Sequence, residues 1–250
     1  MANREKKIKK LVLTRRFFQA LFLGLFVYLT IHPLKSILPA DTFFKIDPLM
    51  SIFTSISGRF ILGGIVFSIA MLFLTLIFGR FFCGWLCPLG AIIDICGVSS
   101  KNRSFNFRQV KYYIFAIIVI FSFIGIQIAW IFDPMVIMAR FVLLTLNPLF
   151  IFFILICALS FITKRFWCRA LCPLAAFYAL IARFSILKRS VEKCAKCFEC
   201  KAKCRMDAIK EDLSYRKEEC ILCMDCIYTC PTNGTKFTFT TERNLLGRDD

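Results

Sequence analysis

The sequence contains a single histidine, His32, among its 250 residues. One histidine excludes a b-type haem held by two histidines of this chain, and there is no C-x-x-C-H motif for covalent haem. Acidic side chains are also scarce in residues 1–189, where five Asp or Glu stand against twenty-two Lys or Arg. These absences predict a chain without haem and with a strongly basic first part.

Long apolar segments are abundant. Hydrophobic residues make up 58% of the chain, whereas soluble proteins contain about 45–50%. Four nearly uncharged stretches are long enough to cross a hydrocarbon core of ~30 Å: residues 17–38, 60–78, 112–132 and 141–162. We therefore predict an α-helical integral membrane protein with four transmembrane helices. The first stretch lacks a small-residue cleavage site before His32, so we expect a retained helix.

The basic residues lie on alternate sides of these predicted spans. Segments 1–16, 79–111 and 163–189 hold eighteen Lys or Arg, whereas the opposite loops hold four, which are Lys35, Lys45, Arg59 and Arg140. By the positive-inside rule, both termini are cytoplasmic in a multi-pass protein of a bacterial inner (cytoplasmic) membrane. Because the basic residues flank apolar spans, we expect them to contact membrane lipid and do not expect the protein to bind nucleic acid.

A motif with two cysteines occurs twice. Residues 80–91 read RFFCGWLCPLGA and residues 165–176 read RFWCRALCPLAA, with eight of twelve positions identical. Upstream of each motif lies an Asp-Pro pair, at Asp47 and at Asp133. The pattern predicts a membrane domain over residues 17–189, built from two parallel repeats of two helices that each end in C-x-x-x-C-P.

The cysteines of these motifs are candidates for redox chemistry. In each motif the two cysteines are four positions apart, which would place them on one helix face, and the following proline favours the start of a new short helix, over 88–97 and 173–187. A helix N-terminus and the nearby Arg80 and Arg165 would favour thiolates. Three interpretations stay open: a redox-active thiol set, a further metal centre, or packing corners. The residues concerned are Cys83, Cys87, Cys168 and Cys172.

The last segment, residues 190–250, has a different composition, with eleven basic and eleven acidic residues and eight cysteines. The cysteines form two C-x2-C-x2-C-x3-C runs, the spacing of bacterial ferredoxins with two [4Fe–4S] clusters, in which each fourth cysteine ligates the other cluster. One predicted ligand set is Cys194, Cys197, Cys200 and Cys230, and the other is Cys220, Cys223, Cys226 and Cys204. Zinc sites more often pair two C-x2-C units at longer separation, and disulfides are uncommon in the cytoplasm.

Together these motifs resemble the NapH/NosR-type membrane iron–sulfur proteins over nearly the whole chain. The resemblance implies an electron-transfer protein of anaerobic respiration, a quinol dehydrogenase subunit that links quinol or quinone to a periplasmic or membrane-bound redox partner. A redox-active assembly factor or a redox sensor is the alternative. The sequence itself assigns no catalytic residue.

A quinol site would need a proton acceptor, and few polar side chains lie near the predicted outer face. The candidates are His32, Asp47, Gln127 and Asp133. An Asp before a Pro is also the ordinary start of a helix, so capping is the simpler role for the two aspartates. Cys96 and Cys157 are predicted to be small apolar residues without a function.

Overall fold

A computed structural model of the chain describes residues 2–32, 47–58, 65–97, 107–143, 148–192, 194–232 and 234–239. The described residues of its first half form five helices. These are α1 (Ala2–Ile31), α2 (Pro48–Gly58), α3 (Ile65–Phe78), α4 (Phe81–Trp85) and α5 (Pro88–Cys96).

The second half begins with a 3₁₀ turn, Phe107–Gln109. It continues through α6 (Val110–Ile124), α7 (Ala129–Phe132), α8 (Pro134–Val142), α9 (Pro148–Ile162), α10 (Phe166–Ala170) and α11 (Pro173–Ala182). The tail contains β1 (Leu187–Val191), α12 (Glu199–Lys203), a 3₁₀ turn (Lys217–Glu219), α13 (Asp225–Tyr228) and β2 (Thr235–Phe239).

The two halves make the same set of helix contacts. In the first half, α1 packs against α5 and α8, and in the second half α6 packs against α11 and α2. The helix after each C-x-x-x-C-P motif also lies on the long helix of the other half, α5 on α9 and α11 on α3. The two cysteine motifs therefore meet at the centre of the molecule, where Cys83, Cys87, Cys168 and Cys172 share one apolar core.

Two of the described helices are long and apolar enough to cross a membrane, Lys10–Ile31 and Phe107–Ile124. Three apolar helices are shorter: Val66–Phe78, Phe150–Ile162 and Pro173–Ala182. The structure therefore does not bear out four full-length spans, and part of each predicted span at 17–38 and 60–78 lies outside the described residues.

The third and fourth predicted spans have different boundaries in the structure. The third, 112–132, is interrupted because Gly125 adopts a left-handed conformation (φ 91°) and its N–H bonds back to the carbonyls of Phe121 and Ser122, which ends α6. The fourth, 141–162, was predicted to begin too early, since Phe141 belongs to the separate helix α8.

A two-stranded sheet pairs the segment before the tail cysteines with the segment after them. Strand β1 pairs antiparallel with β2, from Leu187 opposite Phe239 to Val191 opposite Thr235. Strand β1 lies across the boundary predicted near residues 187–190. It also explains why the helix predicted for 173–187 ends at Ala182, because the chain turns there to enter the sheet.

Candidate functional site

The two cysteine runs of the tail adopt the same backbone conformation. In each run the residues on either side of the second cysteine have a left-handed backbone conformation. The φ angles are 49° and 56° at Lys196 and Phe198, and 51° and 63° at Leu222 and Met224. Left-handed residues that alternate with right-handed ones direct successive backbone N–H groups into one concavity. Such concavities bind anions, including iron–sulfur groups. Two short helices, α12 and α13, follow directly and pack together.

The fourth cysteine of the first run lies with the second run. Cys204 interacts electrostatically with Cys220, Cys223 and Cys226. Backbone N–H groups point at two of the four sulfurs, from Ala208 to Cys204 Sγ at 3.3 Å and from Leu222 to Cys220 Sγ at 3.4 Å. Four cysteines with N–H donors around them match the chemistry of a [4Fe–4S] cluster, whose negative charge these donors offset.

The cysteines of the first run lie nearer the surface. Cys194 and Cys197 are exposed, and Cys200 accepts a hydrogen bond from Arg189 at 3.4 Å. Cys230, the fourth cysteine of the second run, lies close to strand β2. Burial raises its pKa, but hydrogen bonds from Thr232, Thr235 and the Gly234 N–H outweigh burial and lower the pKa to about 7. A thiol of this kind is readily available as a thiolate ligand.

Within the described ranges, no group of three or more His, Cys, Asp or Glu is arranged to hold a single metal ion. The ligands of a [4Fe–4S] cluster each bind a different iron, so they surround a cube and do not converge on one point. Cysteine sulfurs spaced around a cube are the arrangement that a [4Fe–4S] cluster would need.

The second run is packed directly against the first C-x-x-x-C-P motif. A Cβ placed at Gly84 would lie 2.1 Å from the carbonyl oxygen of Ile221, so only glycine permits this contact. The Trp85 indole donates to the Leu222 carbonyl at 3.1 Å, and Arg15 donates to the Cys223 carbonyl at 3.3 Å. Backbone carbonyls of the cysteine run are thus fixed by side chains of the helical domain.

Three buried carboxylates join the tail to the helical domain. Asp94 forms three ion pairs: with Arg15 at 2.6 Å, with Arg165 at 2.6 Å and with Arg205 of the tail at 3.1 Å. Burial raises the pKa of Asp94, but the charges of Arg165, Arg205 and Arg15 outweigh it and hold the pKa well below the usual carboxyl value. Asp94 therefore remains ionised.

The other two carboxylates belong to the tail and reach into the helical domain. Glu219 pairs with Arg80 and Lys111, and Asp207 pairs with Arg108 and Arg169. Burial raises the pKa of Glu219, but Arg80 and Lys111 outweigh it and lower the pKa below the usual value. None of these ion pairs was predicted from the sequence, because the partners are far apart in the chain and follow no periodicity.

The four cysteines of the C-x-x-x-C-P motifs are buried and interact electrostatically with one another. The expectation that each pair lies on one helix face is wrong. Helices α4 and α10 end two residues before the second cysteine, so Cys83 lies in α4 whereas Cys87 is the N-cap of α5. Cys168 and Cys172 repeat this arrangement at the α10–α11 corner.

The expectation of thiolates at these corners is also not supported. Burial raises the pKa of Cys168 to about 11 and raises those of Cys87 and Cys172 well above the usual thiol value. At the helix N-terminus the Ala175 N–H donates to Cys172 Sγ at 3.4 Å, which lowers the pKa of Cys172 as expected. Burial raises this pKa by more. Without a bound metal, burial thus favours the neutral thiol at Cys87, Cys168 and Cys172.

Arg80 and Arg165 accompany the four cysteines, as the sequence predicted. Arg80 is 0% exposed and interacts with Cys83, Cys168 and Cys172, and Arg165 is 1% exposed and donates to the Cys83 carbonyl at 2.9 Å. Both arginines come three residues before the first cysteine of their motif. Two buried cations next to four sulfurs would offset the negative charge of a thiolate-bound group.

Two of the four candidate polar groups, His32 and Gln127, have partners elsewhere. The Gln127 carbonyl oxygen accepts from the Trp130 indole at 2.6 Å, and the exposed His32 lies against the Tyr28 ring. Asp47 and Asp133 do cap helices α2 and α8, with Leu49 and Met135 N–H groups donating to their Oδ1 atoms.

Sequence reasoning missed two pairings. The carboxyl groups of Asp47 and Asp133 interact with each other in the interior, and so do the thiols of Cys96 and Cys157. The equivalent position of the two Asp-Pro pairs in the repeats was the signal that could have revealed the first pairing. Nothing in the sequence pattern marks the second.

Comparison with protein families matches the two C-x-x-x-C-P motifs, and the second match ends just before the tail cysteines. A family described as a 4Fe-4S binding domain matches residues 60–106 and again residues 147–193, each match covering one C-x-x-x-C-P motif. No solved structure matches the chain.

Several curated proteins are similar to the chain. Ferredoxin-type protein NapH of Escherichia coli is 24% identical over 263 residues, covering 91% of this chain and 88% of NapH. An uncharacterised protein of Methanocaldococcus jannaschii is 28% identical over 75% of this chain and 76% of its own length. Protein NirI of Paracoccus denitrificans is 32% identical over 62% of this chain, which corresponds to 25% of NirI. The chain is therefore similar over most of its length to ferredoxin-type proteins named NapH, and a 4Fe-4S binding domain matches it at two places.

Proposed function

We propose that this chain is a membrane electron-transfer protein that links the quinol/quinone pool to a redox partner protein through iron–sulfur clusters. The tail, residues 190–250, would hold two [4Fe–4S] clusters on the cytoplasmic side. Cys194, Cys197, Cys200 and Cys230 would bind one cluster, and Cys220, Cys223, Cys226 and Cys204 would bind the other. The relatives named NapH and a putative electron transport protein of Escherichia coli support this class of function.

The observation that carries the proposal is the contact between the second cysteine run and the first C-x-x-x-C-P motif. Cys223 of the second run lies in the same apolar core as the four central cysteines, whereas Cys194 and Cys197 of the first run are exposed. Close approach of Gly84 to Ile221 leaves no room for a side chain between the second run and the first C-x-x-x-C-P motif. This arrangement of sulfur ligands suits a path for electrons between a partner at the tail and the membrane.

A membrane location with two parallel repeats and four crossings is part of the proposal. Large apolar side chains are exposed on each of the long helices, for example Phe17 at 62%, Phe73 at 64%, Phe123 at 73% and Ile151 at 70%. Soluble proteins rarely expose contiguous apolar surface on this scale. Lipid contact explains the exposure, and the distribution of basic residues supports cytoplasmic termini.

The cluster content is tested by anaerobic purification, chemical analysis and EPR. We expect about eight iron and eight acid-labile sulfides from the tail, and more if the central cysteines hold a further metal centre. Protein that contains only stoichiometric zinc under these conditions would contradict the proposal.

The link to quinol is tested by reduction of the clusters with a quinol analogue. Changing Cys87 or Cys172 to Ser should abolish reduction by quinol but leave the tail clusters assembled, as read from visible absorbance and EPR. Cys96→Ala, a change of a cysteine outside the motifs, should have little effect. Full quinol-dependent reduction in both serine variants would show that the C-x-x-x-C-P motifs are packing corners.

A further inference from the structure

Two carboxyl groups meet in the interior of the helical domain. Asp47 and Asp133 are both 0% exposed, and their carboxyl groups lie close enough to interact directly, through a hydrogen bond once one of them carries a proton. In each, Oδ1 caps a helix, accepting from the Leu49 N–H at 2.9 Å or from the Met135 N–H at 2.7 Å. Among the described residues, neither Oδ2 atom has a hydrogen-bond donor if both groups are ionised.

A hydrogen bond between two carboxyl groups requires a proton on one of them. Ionised carboxylates only accept hydrogen bonds, so two facing carboxylates repel each other. In a buried and largely apolar site this repulsion is weakly screened, and two such groups hold one proton between them. The contact between Asp47 and Asp133 therefore implies a shared proton.

A third buried polar group interacts with this pair. Tyr178 of α11 is 0% exposed, and its hydroxyl has no hydrogen-bond partner among the residues that the structure describes. It interacts electrostatically with both carboxyl groups and with Cys83 and Cys87. A hydroxyl both donates and accepts, so Tyr178 is suited to connect the carboxyl pair with the central cysteines.

Helix capping alone does not account for this arrangement. Asn or Ser would cap α2 and α8 about as well as Asp without the cost of burying an ionisable group. The protonation of the pair is governed by burial, by the two carboxyls themselves and by backbone N–H groups, and both carboxyls also interact with Tyr178, which in turn interacts with Cys83 and Cys87. An ionisable group buried within a membrane protein points to a function in moving protons or ions.

We propose that Asp47 and Asp133 form a proton-binding site of the membrane domain, in which the carboxyl groups share one proton and take up a second on reduction of the protein's iron–sulfur groups. The uptake on reduction rests on the proposed function. One electron that enters adds one negative charge, and one proton from solvent converts the remaining carboxylate into a carboxylic acid. Oxidation releases the electron to the partner and the proton to solvent.

Infrared difference spectroscopy of the full-length protein in detergent tests the proposal. The protein is reduced anaerobically with dithionite, and cluster reduction is followed by visible absorbance in the same sample. We expect a new C=O stretching band of a carboxylic acid, shifted in D₂O and absent in Asp47→Asn and in Asp133→Asn. Asp212→Asn, the same change at an exposed carboxylate, should leave the band in place.

The outcomes separate this proposal from the proposed function. Because dithionite supplies the electrons, failure of the quinol link does not affect the result. If the clusters are reduced without a carboxylic acid band, or if the band persists in both Asn variants, the two aspartates are only helix caps.

A second measurement needs neither clusters nor a reductant. At neutral pH the wild-type spectrum minus that of Asp47→Asn should contain the band of the shared proton, and identical spectra would overturn the proposal. Asn retains the capping oxygen, so both variants should fold. Tyr178→Phe, which leaves both caps intact, should shift the band, and an unchanged band would remove Tyr178 from the site.

Discussion

At the level of single residues, the fourth cysteine of each run distinguishes two ways of assembling the tail. Cys204 lies with the second run, so Cys204→Ser should remove mainly the cluster bound by Cys220, Cys223 and Cys226. Cys230→Ser should remove mainly the cluster of the first run. EPR of the reduced variants resolves the two clusters, and iron analysis should fall by about four per variant.

The opposite pattern would contradict this exchange of ligands. If Cys204→Ser removes the first-run cluster and Cys230→Ser removes the second, each run binds its own cluster through all four cysteines. Cys157→Ala, outside the tail, is the matched control and should retain both EPR signals.

Cysteine spacing is the part of the site that the sequence predicts best, because ligands of one cluster must lie on a tight local loop. It predicts Cys204 as a ligand of the second cluster, and in the structure Cys204 interacts with the cysteines of the second run while packing beside Cys200 and Cys226. Residues such as Asp94 and Glu219 could not be predicted. Their roles depend on arginines and lysines brought together by folding, and a single buried carboxylate has no pattern in the sequence.

At the level of secondary-structure elements, helix α4 is pressed against the tail at Gly84. Gly84→Ala would place a Cβ 2.1 Å from the Ile221 carbonyl oxygen, so the tail must move away. We expect weaker docking of the tail, seen as slower quinol-dependent cluster reduction and a lower Tm. Gly24→Ala in α1, where a Cβ meets nothing within 4 Å, should leave both values unchanged or raise the stability by up to about 1 kcal/mol.

An unchanged rate and Tm in Gly84→Ala, measured beside Gly24→Ala, would show that the tail is not held at this contact. The pair of variants is matched, because each adds one methyl group to a helix. Only the surroundings of that methyl group differ.

Helix boundaries were predicted less well than the repeat of the motifs. Gly125 interrupts a stretch whose hydropathy alone predicted a continuous span, and Phe141 joins the helix that begins at Pro134. Hydropathy averages over a window, whereas a helix ends where one residue adopts a left-handed conformation and redirects the backbone. The internal repeat was more informative, since it correctly indicated that helices begin at Pro88 and Pro173.

At the level of the whole molecule, the tail and the helical domain are held together by buried charge. Asp94→Asn removes the partner of Arg15, Arg165 and Arg205 and leaves buried arginines uncompensated, which costs about 3–5 kcal/mol. Thermal unfolding in detergent measures the loss. The exposed pair of Lys201 with Glu211 is the control, and Glu211→Gln should cost less than about 1 kcal/mol. Equal effects of the two substitutions would contradict the central role of Asp94.

The same ion pairs predict how stability depends on pH. The pKa values of Asp94 and Glu219 are lower in the folded protein than in the unfolded chain. As the pH falls, the unfolded chain therefore binds protons first, so the contribution of these ion pairs is complete above the ordinary carboxyl pKa of about 4 and decreases below it. We therefore expect the contribution of these two carboxylates to the Tm to be constant between about pH 8 and pH 5 and to fall in more acidic solution.

An Asp94→Asn/Glu219→Gln double variant isolates this contribution. It should have a lower Tm than the wild-type protein at neutral pH and a shallower decline in acid, because two of the groups that take up protons are gone. Loss of clusters in acid is followed separately by visible absorbance, and apoprotein of both forms is compared to remove its effect. If the acid decline of the double variant is as steep as that of the wild-type protein, the pH dependence arises elsewhere in the molecule and these two carboxylates are not what joins its parts.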